Sequence, residues 1–176
     1  DGLMTVSIPN YQLNAIRDIN GKTLKSIVSN SGTLKANGGI IKLSAATARS
    51  LTRNTVNIGS TGSIIAKTVR SKPGKVVIGS PTTNSVRIAG NIDVSSSITS
   101  LSPSGKVVVK GRRITHSGNI YANGAFGGKI NVISKDSIKL DGSILAKGIS
   151  DTGGKVIIMS ENAIETTPKN VIDVSG

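Results

Sequence analysis

Cysteine and tryptophan are both absent from this chain of 176 residues. Without cysteine an exported form has no disulfide to staple it. Aromatic residues make up 2% of the sequence, namely Tyr11, Tyr121 and Phe126. Three rings leave almost nothing on which bases can stack, which excludes specific nucleic-acid recognition. They also force any core to be built from Ile, Val, Leu and Ala, side chains that suit thin regular layers better than an irregular globule. No apolar run approaches the roughly 20 residues of a membrane-spanning helix, and the residues present carry no signal-peptide pattern. Acids are scarce too: nine Asp and Glu stand against 22 Lys and Arg, a formal net charge of +13.

What is present is glycine, at 21 residues, and short stretches in which apolar and polar residues alternate. Alternation of period two marks strands with one buried face. With 36% apolar residues and a mean hydropathy of +0.03, this is not a disordered composition. The stretches recur. A corner strand follows a glycine at Gly32-Thr-Leu-Lys-Ala, Gly62-Ser-Ile-Ile-Ala, Gly90-Asn-Ile-Asp-Val, Gly118-Asn-Ile-Tyr-Ala and Gly142-Ser-Ile-Leu-Ala, and a sixth copy starts at Asn170; the spacings are 30, 28, 28, 24 and 28 residues. A lysine strand follows at Gly39-Ile-Ile-Lys-Leu, Gly74-Lys-Val-Val-Ile, Gly105-Lys-Val-Val-Val, Gly128-Lys-Ile-Asn-Val and Gly154-Lys-Val-Ile-Ile. A closing strand ends each unit, at Val56-Asn-Ile, Val86-Arg-Ile, Ile114-Thr-His, Ile138-Lys-Leu and Ile164-Glu-Thr.

Three strands in the same order every 24–30 residues is a solenoid period. Each strand then pairs with its copy one coil on, about 4.8 Å away. The sequence therefore predicts an all-β, right-handed parallel β-helix of about five turns in one domain, 1–176, with an irregular lead-in over 1–30 and regular coils over 31–176. An antiparallel sandwich also has many short strands but no reason to repeat a three-strand unit. Inward columns are expected at Leu34, Ile64, Ile92, Ile120, Ile144 and Val171 or Ile172, and at Ile41, Val76, Val107, Ile130 and Val156. Glycines at the corners suggest positive φ. Near-helical spacing over Tyr11–Ile19 and an Ala-rich segment near 45–53 each allow a short helical excursion. The chain opens and closes within the repeat pattern, as a piece of something longer would.

Catalytic constellations are hard to assemble. Cleavage of acidic polysaccharides, a common use of this fold, needs clustered carboxylates or calcium ligands beside a base. Asp93 and Asp173 share an outward column, but Tyr121 and Leu145 separate them, and no carboxylate pair reaches glycosidase spacing. His116, the one histidine, aligns with Ile58, Ile88 and Leu140; it should point inward and be held by a backbone carbonyl. No nucleophile elbow accompanies the serines, and the Gly-Gly pairs precede strands, so they make no phosphate loop. No metal or cofactor is expected. The charge is more informative. Lys75, Lys106, Lys129 and Lys155 fall in one column and, with Val76 and its equivalents inward, turn outward. Such a row is either a solvated face that discourages lateral association or a stripe for polyanions such as anionic glycans, lipopolysaccharide or released DNA.

Gly32-Thr-Leu-Lys-Ala-Asn-Gly-Gly-Ile-Ile-Lys-Leu-Ser-Ala-Ala-Thr-Ala-Arg-Ser-Leu, followed by Val56-Asn-Ile-Gly-Ser-Thr-Gly-Ser-Ile-Ile-Ala, resembles large secreted exoproteins of the filamentous haemagglutinin type. The likeness covers about 24–176 and extends to Gly128-Lys-Ile-Asn-Val-Ile and Ile172-Asp-Val-Ser-Gly. It implies the latter part of a secretion domain and the first coils after it, two-partner secretion through an outer-membrane transporter, and an adhesive role, secreted or at the cell surface of a Gram-negative bacterium. The Asn-Pro-Asn motifs of that family's early secretion domain do not occur here, so transporter recognition is not assigned to these residues. The expectation is a non-enzymatic structural or adhesive segment, with anionic glycans of host or matrix as partners. A polysaccharide-cleaving β-helix enzyme and a self-assembling filament subunit are the alternatives.

Overall fold

The computed structural model describes residues 2–8, 17–45, 54–99 and 101–176. These form eighteen strands and no helix. In chain order the first coil supplies β1 (Leu3–Ile8), β2 (Ser26–Asn30) and β3 (Thr33–Lys35), and the second β4 (Ile40–Ala45), β5 (Asn54–Ile58) and β6 (Ser63–Ile65). The third has β7 (Lys75–Gly79), β8 (Ser85–Ile88) and β9 (Asn91–Asp93); the fourth has β10 (Lys106–His116), β11 (Asn119–Tyr121) and, beside the coil, β12 (Gly124–Phe126). The fifth runs β13 (Lys129–Leu140), β14 (Ser143–Leu145) and the lateral β15 (Gly148–Thr152), and the sixth β16 (Lys155–Ser160), β17 (Ala163–Thr166) and β18 (Val171–Asp173).

Every ladder between these strands is parallel, each pairing a strand with its counterpart one coil away. The six corner strands form one sheet in the order β18-β14-β11-β9-β6-β3. The lysine and closing strands form two further ladders. Because β10 and β13 run unbroken through the corner between them, these two join in a single ten-stranded sheet. The bend falls between Gly111 and Arg113, where the β10–β13 register shifts. The fold is a parallel β-helix. Its ladders reach further back than residue 31, for Met4 stands in register with Ile41 and Val28 with Val56. Of the two expected helical excursions, Tyr11–Ile19 and 45–53, residues 11–16 and 46–53 lie outside the described residues, while 17–19 form no helix and Ala45 ends β4.

The inward columns are as the alternation dictates. Leu34, Ile64, Ile92, Ile120, Ile144 and Ile172 stack on the corner sheet, and Ile41, Val76, Val107, Ile130 and Val156 stack on the lysine ladder. Those in the middle coils are completely buried. Branched aliphatics, stiff at χ1, pack well on a pleated surface, and each buried Ile or Val contributes about 1.5–3 kcal/mol.

The glycines serve a purpose other than the expected one. Positive φ occurs at Gly21, Gly38, Gly79 and Arg70, and at none of the corner glycines. At Gly62, Gly90, Gly118 and Gly142 an added Cβ would instead collide with the backbone carbonyl oxygen of the preceding coil, that of Asn30, Gly62, Gly90 and Gly118 in turn. The lysine-strand glycines behave alike: Gly105, Gly128 and Gly154 each abut the carbonyl oxygen of the glycine one coil before. At these positions glycine is favoured because backbone of the preceding coil stands where a Cβ would go, whereas Gly32 in the first coil meets nothing and the sixth coil has Asn170 at the corner position.

Candidate polyanion-binding face

The lysine row lies where the repeat places it. Lys75 pairs in register with Lys106, Lys106 with Lys129 and Lys129 with Lys155, and all four are exposed. Each follows a close-packed glycine and precedes an inward Val or Ile, buried in all but the last coil, so the pleat turns the ammonium to solvent. Their backbones repeat at about 4.8 Å. The row begins only at the third coil, since the same column holds Leu3 and Ile40 in the first two.

Further along the same strands the outward columns are mixed. Lys42, Val77, Val108, Asn131 and Ile157 form one. Gly79, Lys110, Ile133 and Met159 form the next. Lys42 and Lys110 thus join the basic face, which alignment on the glycine did not reveal because Lys42 lies one outward column from the row and Lys110 two. The signal was available, since both lie an even number of residues from the row position. The other flank of the row is a groove of about 440 Å³ beside Lys129 and Lys155, walled by Leu101, Pro103, Phe126 and Thr152.

The acids do not converge. Asp93 forms an ion pair with Lys67 at 3.0 Å and Asp173 with Lys147 at 2.5 Å, each across one coil. Hydrogen bonds from Lys147 and from the Ser175 backbone hold the Asp173 carboxyl well below its usual range, at about 2. Glu165 pairs with Lys139 at 2.9 Å. Among the described residues there is no group of three or more His, Asp or Glu able to hold a metal, and none of the four row lysines has an ion-pair partner.

His116 corrects one expectation. It does point inward, between Ile88 and Leu140, and is 1% exposed. No backbone carbonyl holds it, for both ring nitrogens are buried without a hydrogen-bond partner. Burial pushes its pKa down to about 4, against a smaller opposing pull from Asp141. A neutral ring wedged between aliphatic side chains, out of reach of any substrate, is a core residue.

No protein-family model, curated protein or solved structure matches the chain. The surface itself must therefore indicate a function. Four lysines without ion-pair partners stand in register at strand spacing on an exposed ladder, with Lys42 and Lys110 on the same outward side, so the positive charge is concentrated on one solvent-facing surface.

Proposed function

We propose that the chain is a non-enzymatic, stiff β-helical segment of an exported adhesin-type exoprotein, whose lysine face engages acidic polymers. On this reading an outer-membrane two-partner transporter delivers it to the surface of a Gram-negative bacterium, and anionic glycans are its partners there. The observation that carries the reading is the register of Lys75, Lys106, Lys129 and Lys155 on one exposed ladder. A rod whose coils are held by a continuous aliphatic column suits projection and display. The dispersal of the carboxylates, and the pairing of Asp93, Glu165 and Asp173 with lysines, weigh against the polysaccharide-cleaving alternative.

The test is arrangement against total charge. Changing Lys75, Lys106, Lys129 and Lys155 to Gln together should abolish most heparin binding. Changing Lys22, Lys25, Lys35 and Lys169, which lie off this face, removes the same charge and should cost far less. Wild-type affinity should also fall steeply with salt. Equal losses in the two quadruple variants would mean that bulk charge alone governs binding.

A further inference from the structure

The loop over 95–104 has a fixed base and an apolar tip. Ser96 and Ser104 hydroxyls lie 3.0 Å apart, and the Ser104 hydroxyl donates to the Asn123 carbonyl at 2.7 Å. The Ser96 amide donates to the same carbonyl at 2.9 Å, and the Ser104 amide donates to the Phe126 carbonyl. Between these anchors the loop exposes Ile98 at 64% and Leu101 at 93%. Leu101 forms one wall of the groove that Lys129 and Lys155 share with Phe126, and among the described residues no carboxylate lines it. Two cations about 4.8 Å apart at the backbone can bracket a single phosphate. The exposed Leu101 side chain beside them supplies what a phosphate alone does not need, namely a place for hydrocarbon.

We propose that this groove docks the chain on the surface of an anionic lipid layer, with Lys129 and Lys155 on a lipid phosphate and Leu101 entering the acyl region. This rests on the reading that the lysine face binds polyanions, and names one occupant for its end. Lipid fits the groove better than sugar: its walls are Leu101, Pro103 and one ring, Phe126, whereas a saccharide platform calls for aromatic surface, in which this chain is poor. Cations beside protruding aliphatics are the pattern of interfacial binding.

The experiment measures binding of the 176-residue chain to vesicles of phosphatidylcholine, alone and mixed with phosphatidylglycerol, and to heparin oligosaccharide, for wild type, Lys129→Gln/Lys155→Gln and Leu101→Ser. Of the two vesicle types, only the anionic one should bind. The lysine pair should weaken it by about thirtyfold. Leu101→Ser should weaken it by about tenfold while leaving heparin binding and the melting temperature unchanged, since the side chain is exposed in the free protein. Vesicle binding indifferent to Leu101→Ser, or a heparin affinity that falls equally with it, would overturn the lipid assignment in favour of a simple polyanion surface. No vesicle binding with heparin binding intact would overturn this inference alone; loss of both would overturn the lysine-face reading as well.

Discussion

Replacing His116 by Leu should make the protein more stable, and its stability less sensitive to acid. The residue sits in a column running Asn30, Ile58, Ile88, His116, Leu140 and Thr166. Leucine is therefore what the next coil already places there. At neutral pH the ring is uncharged, yet it buries a donor and an acceptor that find no partner. An unsatisfied buried polar group costs about 1–3 kcal/mol, so removing both should stabilise by about 2 kcal/mol at pH 7. Below that pH a second effect grows. The folded pKa of about 4 lies below the ordinary value of 6.5, so the unfolded chain takes up a proton first. Stability is then complete above about pH 6.5 and is lost as pH falls towards 4. A shift of that size corresponds to about 3 kcal/mol. The carboxylates titrate in both proteins, so the difference between variant and wild type isolates the histidine. Guanidinium unfolding at pH 7 and at pH 4.5 would measure it: the advantage of His116→Leu should more than double at the lower pH. A variant less stable than wild type at pH 7, or an advantage independent of pH, would refute the reasoning and mean that the ring has a hydrogen-bond partner.

Two further outcomes test the core and the corners. Ile130→Asp should cost at least about 4 kcal/mol, because it buries an unpaired charge in an aliphatic column, whereas Lys129→Asp, one residue away and outward, should stay within about 0.5 kcal/mol; similar melting temperatures for the two would put the register one residue out. Gly118→Ala should cost about 3 kcal/mol, since backbone of the preceding coil occupies the methyl position, while Gly32→Ala, with open space at that point, should be close to neutral in thermal unfolding.

The repeat made the inward columns legible before any coordinates, because period two and a fixed coil length together determine which residues face in. The same logic placed Lys75, Lys106, Lys129 and Lys155 correctly. It misjudged the glycines, since both positive φ and backbone crowding select for glycine and a sequence does not distinguish them. It also missed β1 and β2 as members of the ladders. Their coil lacks the Gly-Lys and Gly-x-Ile signatures, and only the pairing of Met4 with Ile41 and Val28 with Val56 identifies them. The partner of His116 was inferred from a general expectation about buried polar groups, which this site does not meet. The groove beside Lys129 was not legible, because it depends on where the 95–104 loop folds back against β12.

The distribution of ion pairs bears on why the lysine row exists. The chain has a working device for neutralising lysines across coils. Lys67 meets Asp93 and Lys147 meets Asp173, in each case a lysine two residues past its corner strand and an aspartate on the corner strand of the next coil. Where that position holds asparagine instead, its side-chain oxygen accepts the next coil's backbone amide, as Asn37 does from Lys67 and Asn123 from Lys147. The same arrangement was open to the lysine ladder, where alternating Lys and Glu would have turned each mutual repulsion into an attraction. Instead four like charges are stacked about 5 Å apart, at a cost of under about 1 kcal/mol per neighbouring pair in water and less in salt. Surface pairs contribute little, so stability alone selects only weakly against such a row. Keeping it free of acids does, however, preserve a continuous basic stripe flanked by Lys42 and Lys110. A face meant only to stay solvated would be served as well by mixed charge. A face meant to bind a repeating anion would not, because each acid introduced would neutralise one contact and repel the ligand at the next.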